Sequence, residues 1–290
     1  MLTKAEFQKK ITDGCRILDG ATGSNLRAAG MPKLCSTEQW VLEHPQILQK
    51  LQAQYAEAGS QILFAPTFQA QPIALQKLGW EKDAEKINAR LVAITRQAAP
   101  GCLIAGDITT LAAFCDSWDP GQFNLLVDNY RRQIRGLIDG GADILGAETL
   151  LYPQEAEAIL TAAELEGAGA AMYSFTMQSD GSLFSGMEAG PILQELEQAG
   201  AAAVGFNCVC ADNMTPGLVS KLRRYVKGPL ICKPNAGMPV IESDGIAHYY
   251  MKHQEFASVI QDCVQMGATV LGGCCGTTPA HIAAMVQAIK

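Results

Sequence analysis

Three cysteines stand where their positions could build a site for a soft metal ion. Cys208 follows Gly205-Phe206-Asn207, and Cys274-Cys275 lie within Leu271-Gly272-Gly273-Cys274-Cys275-Gly276-Thr277-Thr278-Pro279. Three thiolates with an open fourth position form a catalytic zinc arrangement, and sulfur ligands favour zinc or copper(I) over magnesium or calcium. The chain has no Cys-x-x-Cys pair, so spacing alone keeps a vicinal disulfide or two buried thiols open. Cys210 could substitute as a ligand but reads as a bystander. Cys15, Cys35, Cys102, Cys115, Cys232 and Cys263 are isolated and read as structural thiols. The glycine-rich run has a rival reading as a phosphate cradle, with Thr278-Pro279 as cap and first turn of a helix. Adjacent cysteines add nothing to anion binding, however, and the run carries no Lys or Arg.

For residues 208 and 274–275 to meet, the fold must gather distant segments. Eight short apolar runs recur along the chain, and they close on Asp19, Thr67, Asp107, Glu148, Ser174, Cys208, Asn235 and Cys274-Cys275. Runs apolar on both faces suit buried parallel strands covered by helices. Helical periodicity lies between them: Ile47, Leu48, Leu51 and Tyr55 form a stripe opened by Pro45 and stopped by Gly59. Phe123, Leu126, Val127, Tyr130, Ile134, Leu137 and Ile138 form another, stopped by Gly140-Gly141. Weaker versions span 83–97, 154–166, 214–226, 255–266 and 279–289. Eight strands alternating with helices predict an α/β fold, a single (β/α)8 TIM barrel over residues 1–290. A doubly wound open sheet is the alternative. In a barrel the strand ends share one mouth, so the closing residues converge.

Composition narrows the function. Of 290 residues, 48% are hydrophobic and 18% charged, which excludes a disordered chain. Twenty-two basic against 29 acidic residues give a net charge of −7 without a basic stripe, so neither nucleic acid nor a membrane surface is an expected partner. The polar, helix-like start Met1-Leu2-Thr3-Lys4-Ala5-Glu6-Phe7 lacks the apolar centre of a signal peptide. A cytoplasmic location with reduced thiols is therefore expected. His44, His248, His253 and His281 form no HExxH pattern and read as solvated or capping residues. Trp40, Trp80 and Trp118 fall in connections and read as packing residues. The polar and aromatic segment 242–253 reads either as a loop facing a second substrate or as a solvated loop.

Four ordered motifs bring a resemblance. Asp19-Gly20-Ala21-Thr22-Gly23, Gly205-Phe206-Asn207-Cys208, Pro234-Asn235-Ala236-Gly237-Met238-Pro239 and Gly273-Cys274-Cys275-Gly276-Thr277-Thr278-Pro279 together resemble the homocysteine S-methyltransferase family, from about Asp13 to Ile289. That family includes the homocysteine module of cobalamin-dependent methionine synthase and the enzymes that use S-methylmethionine or betaine. The resemblance implies a (β/α)8 barrel with Zn2+ on Cys208, Cys274 and Cys275, and homocysteine as methyl acceptor. Metal binding deprotonates a coordinating thiol, so the homocysteine sulfur would take the open position and attack the donor methyl in line. Asp19 and Glu148 match acidic positions that bind the amino group, and the backbone of Gly20, Ala21 and Thr22 can offer N–H groups to the carboxylate. Without the resemblance, Asp19 reads equally as a loop cap and Glu148 as half of a structural ion pair. Thr67 and Ser174 join the substrate contacts at the mouth. Asn235 could be a resting-state zinc ligand or fix a loop. The chain departs from many relatives at Pro66, where they carry asparagine. The methyl donor is either a small onium compound or a separate methylated corrinoid protein, because 290 residues leave no room for a carrier module. A non-catalytic barrel that binds or senses a thiol amino acid is the alternative function.

Overall fold

The computed structural model describes residues 1–11, 14–243 and 245–290. Thr12, Asp13 and Asp244 lie outside the described residues, Asp13 being the start of the resembling region and Asp244 falling inside the segment 242–253.

Each apolar run becomes a parallel strand: β1 (Arg16–Ile17), β2 (Ile62–Phe64), β3 (Leu103–Ile108), β4 (Ile144–Leu150), β5 (Ala171–Phe175), β6 (Ala203–Cys210), β7 (Leu230–Asn235) and β8 (Val270–Leu271). They pair in chain order, and β8 pairs with β1. A parallel bridge between Leu18 and Ile62 links the remaining edges, so the sheet comes nearly full circle. Helices follow the strands: α1 (Pro45–Glu57), α2 (Ala84–Ala98), α3 (Phe123–Asp139), α4 (Pro153–Leu165), α5 (Ala189–Gln198), α6 (Thr215–Arg223), α7 (His253–Gln265) and α8 (Pro279–Ala288). This is a (β/α)8 barrel, and the open-sheet alternative is set aside. Among the described residues no helix is long and apolar enough to cross a membrane.

Local chemistry explains the helix ends. Proline opens α1, α4 and α8, where its missing N–H has no helical partner to lose. Gly59 and Gly141 take positive φ values just beyond α1 and α3. Periodicity identifies seven of the eight helices; α5 escapes it because Gly190 and Pro191 in its first turn read as loop residues. A Cβ at Gly190 would lie 2.3 Å from the Tyr225 ring, so packing of that ring on the helix selects the glycine. α6 is shorter than its periodicity suggested, ending at Arg223 instead of Val226.

Strand alternation splits the core in two. Ile62, Phe64, Ala105, Ile144, Met172, Ala203, Ile231 and Val270 fill the barrel interior, while Leu63, Ile104, Leu145, Tyr173, Val204, Leu230 and Leu271 face the helices. The bottom is plugged by the amino-terminal helix Lys4–Ile11, whose Phe7 is fully buried in the interior cluster. Leu2 fixes that helix by donating its N–H to Asp143 O and accepting from Ala170 N, both at 2.7 Å. The Phe7→Ala variant removes a ring that small interior residues such as Ala105, Ala170 and Ala202 cannot replace. It should lower unfolding free energy by about 3–5 kcal/mol in urea titrations. A loss below about 1 kcal/mol would mean that the plug carries no core packing.

Candidate active site

Register brings the three cysteines together. Leu271 pairs with Cys232 across β8 and β7, and Cys210 pairs with Asn235 across β6 and β7. The ends of β6 and β8 therefore flank Asn235. The Cys208 Sγ lies 2.9 Å from Cys274 Sγ and 3.9 Å from Cys275 Sγ, and all three thiols fall within 4.8 Å of one another. All ten cysteines are free, so the vicinal disulfide is not formed. Hydrogen bonds from Cys208 and Cys274 pull Cys275 far below the usual thiol range, and the contacts with Cys274 and Cys275 push Cys208 up. Cys210 stays outside the cluster, its sulfur 3.7 Å from Met238 Sδ.

Cys208 reaches the mouth through a backbone irregularity. Plain alternation would turn it outward, since Phe206 packs toward the helices. The β6–β7 register shifts between Asn207 and Cys210, and Cys208 adopts φ 58°. β4 carries a matching shift between Ala147 and Leu150, with Thr149 also at φ 58°. One amide holds both irregularities: buried Asn207 accepts from Thr149 N at 2.8 Å and donates to Thr149 Oγ1 at 2.7 Å. Its Nδ2 also points to Cys274 Sγ at 3.8 Å. Asn207 belongs to a motif visible in the sequence, but its role there was not.

Other expected residues occupy definite places. Ser174 donates to Asn207 Oδ1 at 3.0 Å and so joins the clamp. Thr67 is fully buried, donating to Asp107 O and accepting from Asp107 N, which ties the ends of β2 and β3. Ala21 N–H donates to Thr277 Oγ1 at 3.0 Å, so one of the three expected backbone donors is engaged. Asn235 donates to Cys208 O at 3.0 Å, while its buried Oδ1 has no protein partner. A carbonyl oxygen beside three thiols fits the donor set of a zinc site. The glycine-rich run, by contrast, spends its N–H groups internally. Gly272 donates to Cys232 O, Gly273 to Asp19 O, Cys274 to Pro234 O, Thr277 to Cys274 O and Gly276 to Ser24 Oγ, which argues against a phosphate cradle.

Beneath the thiols lies a buried charge cluster. Lys233 is almost wholly buried, with Nζ 2.5 Å from Glu148 Oε2 and 4.2 Å from the Phe64 ring centroid. Burial alone would lower the Lys233 pKa, but Glu148 and Asp19 outweigh it and hold the ammonium protonated. Burial pushes Glu148 up against the pull of Lys233. Asp107 is raised well above the carboxylate range by burial and by Glu148. Asp19 accepts from Phe64 N at 2.8 Å, and burial, opposed by Lys233, pushes it up to about 7. Asp19 thus does cap a strand end and Glu148 does form an ion pair. Yet Asp19 Oδ1 and Asp107 Oδ1 remain buried without protein partners. Three acidic groups surround one ammonium with acceptor oxygens to spare, an arrangement that a cationic group on a ligand would complete. Lys233 escaped the sequence reading, although a lysine inside Leu230-Ile231-Cys232-Lys233-Pro234 signals a paired interior charge.

The family profile described as homocysteine S-methyltransferase matches residues 16–289. The chain belongs to the homocysteine S-methyltransferase family. It is accordingly an enzyme of the methyltransferase class, similar to the homocysteine S-methyltransferase of Escherichia coli at 27% identity over 93% of both chains. It is also similar to the methionine synthase of Mycobacterium tuberculosis, 28% identical, covering 93% of this chain and 24% of that longer one. Among solved structures, the metallated form of the homocysteine methyltransferase MmuM from E. coli superposes with a TM-score of 0.81 at 25% identity, covering 96% of this chain and 98% of that one.

The raised Asp19 pKa has a measurable sign. Its folded value of about 7 exceeds the ordinary 3.8, so between those values the native state holds a proton that the unfolded chain has released. Stability therefore falls as pH rises through that window, by on the order of 4 kcal/mol in full. Asp19→Asn keeps the acceptor for Phe64 N and removes the titration. In urea unfolding of metal-free protein at stepped pH from about 4.5 to 7.5, the variant should lose less stability than the parent. Parallel curves would contradict the buried-carboxyl assignment.

Proposed function

We propose that this chain, acting as one domain over residues 1–290, transfers a methyl group to the sulfur of homocysteine to give methionine. The observation that carries this reading is the meeting of three thiols, from β6 and the connection after β8, in the same mouth as buried carboxylate oxygens without a protein partner. Cys208, Cys274 and Cys275 would hold Zn2+, with Asn235 Oδ1 available to it in the resting enzyme. Bound there, zinc would supply acidification of the acceptor thiol, so that a thiolate is present near neutral pH.

The chain's own groups orient the acceptor. Asp19 and Glu148 receive the ammonium, Asp19 through its free Oδ1 and Glu148 alongside Lys233. Gly20 and Thr22 offer N–H groups to the carboxylate, while Ala21 is held by Thr277. Thr67 and Ser174 act at one remove, fixing the ends of β2, β3 and β6 around the substrate. The acceptor sulfur attacks the donor methyl carbon in line: an S–C bond forms as the bond to the leaving group breaks. No protein nucleophile is required. The donor carries its methyl on a sulfonium, on a quaternary ammonium or on a corrinoid held by a separate protein.

The decisive assay is methionine formation from homocysteine with S-methylmethionine, betaine and a methylated corrinoid protein as donors. Product from one of them supports the reading. No product from any, with thiol binding retained, would favour a non-catalytic thiol-binding barrel instead. Cys274→Ser should abolish both zinc, measured by elemental analysis, and activity; activity surviving without zinc would overturn the metal assignment. Glu148→Gln should raise the KM for homocysteine roughly 10- to 100-fold with zinc content unchanged, the range expected for losing a charge-assisted hydrogen bond.

A further inference from the structure

The connection between β7 and α7 carries a group that packs on the thiol-bearing loop from outside the family motifs. Residues 240–241 and 247–248 pair as an antiparallel hairpin, Val240 with His248 and Ile241 with Ala247. Tyr249 follows directly. Two residues on, Met251 is anchored: its carbonyl lies 3.1 Å from His281 Nε2 on α8, and its side chain packs where a Cβ on Gly237 would be 3.2 Å away. Tyr249 is thus held on both sides along the chain.

Its ring lies against the backbone of Gly276. A Cβ there would sit 2.2 Å from Tyr249 Cγ and 2.3 Å from Tyr249 Cβ, and Gly276 has φ +79°, a conformation that glycine adopts without strain. Only glycine lets the ring approach this closely. The ring thereby stands beside Cys275, the residue before Gly276, near enough to interact electrostatically with its sulfur. The Cys275 backbone is fixed in turn, its carbonyl accepting from Ala236 N at 2.9 Å.

Resting on the zinc reading above, we propose that Tyr249 is a positioning residue for the metal centre, donating its phenolic O–H to the Cys275 thiolate. A hydrogen bond to a ligating sulfur draws electron density from it and fixes its direction. Cys208 and Cys274 are oriented by the Asn207 clamp. Cys275, the more open end of the cluster, is oriented by Tyr249. The hairpin therefore does more than border the mouth: it sets how much charge the third sulfur offers to the metal.

The test replaces zinc by Co2+ in the parent and in Tyr249→Phe, which keeps the ring on Gly276 and removes only the hydroxyl. The sulfur-to-cobalt charge-transfer band should move to lower energy in the variant, because a thiolate without its hydrogen bond is a stronger donor. Zinc affinity measured against a chelator should fall about 10- to 100-fold, with an unchanged circular dichroism spectrum. An unmoved band overturns the proposal, even if affinity drops, since a purely structural role would leave the sulfur electronics alone. If the parent itself shows no such band, the zinc reading fails instead, so the two failures are distinguishable.

Discussion

A left-handed backbone at Cys208 is the constraint on which the mouth of this barrel depends. A non-glycine residue in that region costs about 1–2 kcal/mol, and it persists only where the surroundings over-determine it. Here the surroundings are one buried amide. Asn207 bonds to both the N–H and the hydroxyl of Thr149 and accepts from Ser174, so that β4, β5 and β6 are tied at one level. The irregularities in β4 and β6 act as β-bulges do, breaking the alternation of side chains at the strand ends. Glu148 stays inward, and Cys208 swings to within reach of Cys274 and Cys275.

A second constraint is charge. Asp19, Asp107, Glu148 and Lys233 are buried within one barrel mouth, where three acidic groups surround one ammonium and ionising all of them at once is repulsive. Lys233 offsets part of that repulsion through Glu148 and the face of Phe64. The remainder is left on oxygens without protein partners, which is expensive unless a ligand completes the set. A fold optimised only for stability would not keep such groups. Their presence beside three soft sulfur ligands makes the mouth suited to a molecule that carries both an ammonium and a thiol.

The glycine-rich connection after β8 meets these demands at close quarters. Its backbone N–H groups bond to β7 and to the segment after β1, which stitches the two sides of β8 together. Thr277 bonds to both Cys274 O and Ala21 N, linking the loop that carries Cys274 and Cys275 to the loop that carries Asp19. Glycines at 272, 273 and 276 permit this density of contact, and at 276 they also admit the ring of Tyr249.

The sequence by itself determined the eight strands, most of the helices and the residues that close each strand. Those features are local: an apolar run flanked by glycine and a helical stripe opened by proline need no tertiary information. The three clustered cysteines were also legible, through the contiguous motifs that carry the family resemblance. What only the tertiary structure decided are relations across the barrel. Asn207 acquires its role from Thr149, 58 residues away, and Lys233 from Glu148, 85 residues away. Tyr249 gains its place because a glycine in another loop leaves room for its ring. The helix α5 was hidden for the same reason, its Gly190 being selected by Tyr225 and not by helix propensity. Spacing along a chain reports local geometry, whereas bulges, buried ion pairs and close approaches depend on which segments the closed sheet brings side by side.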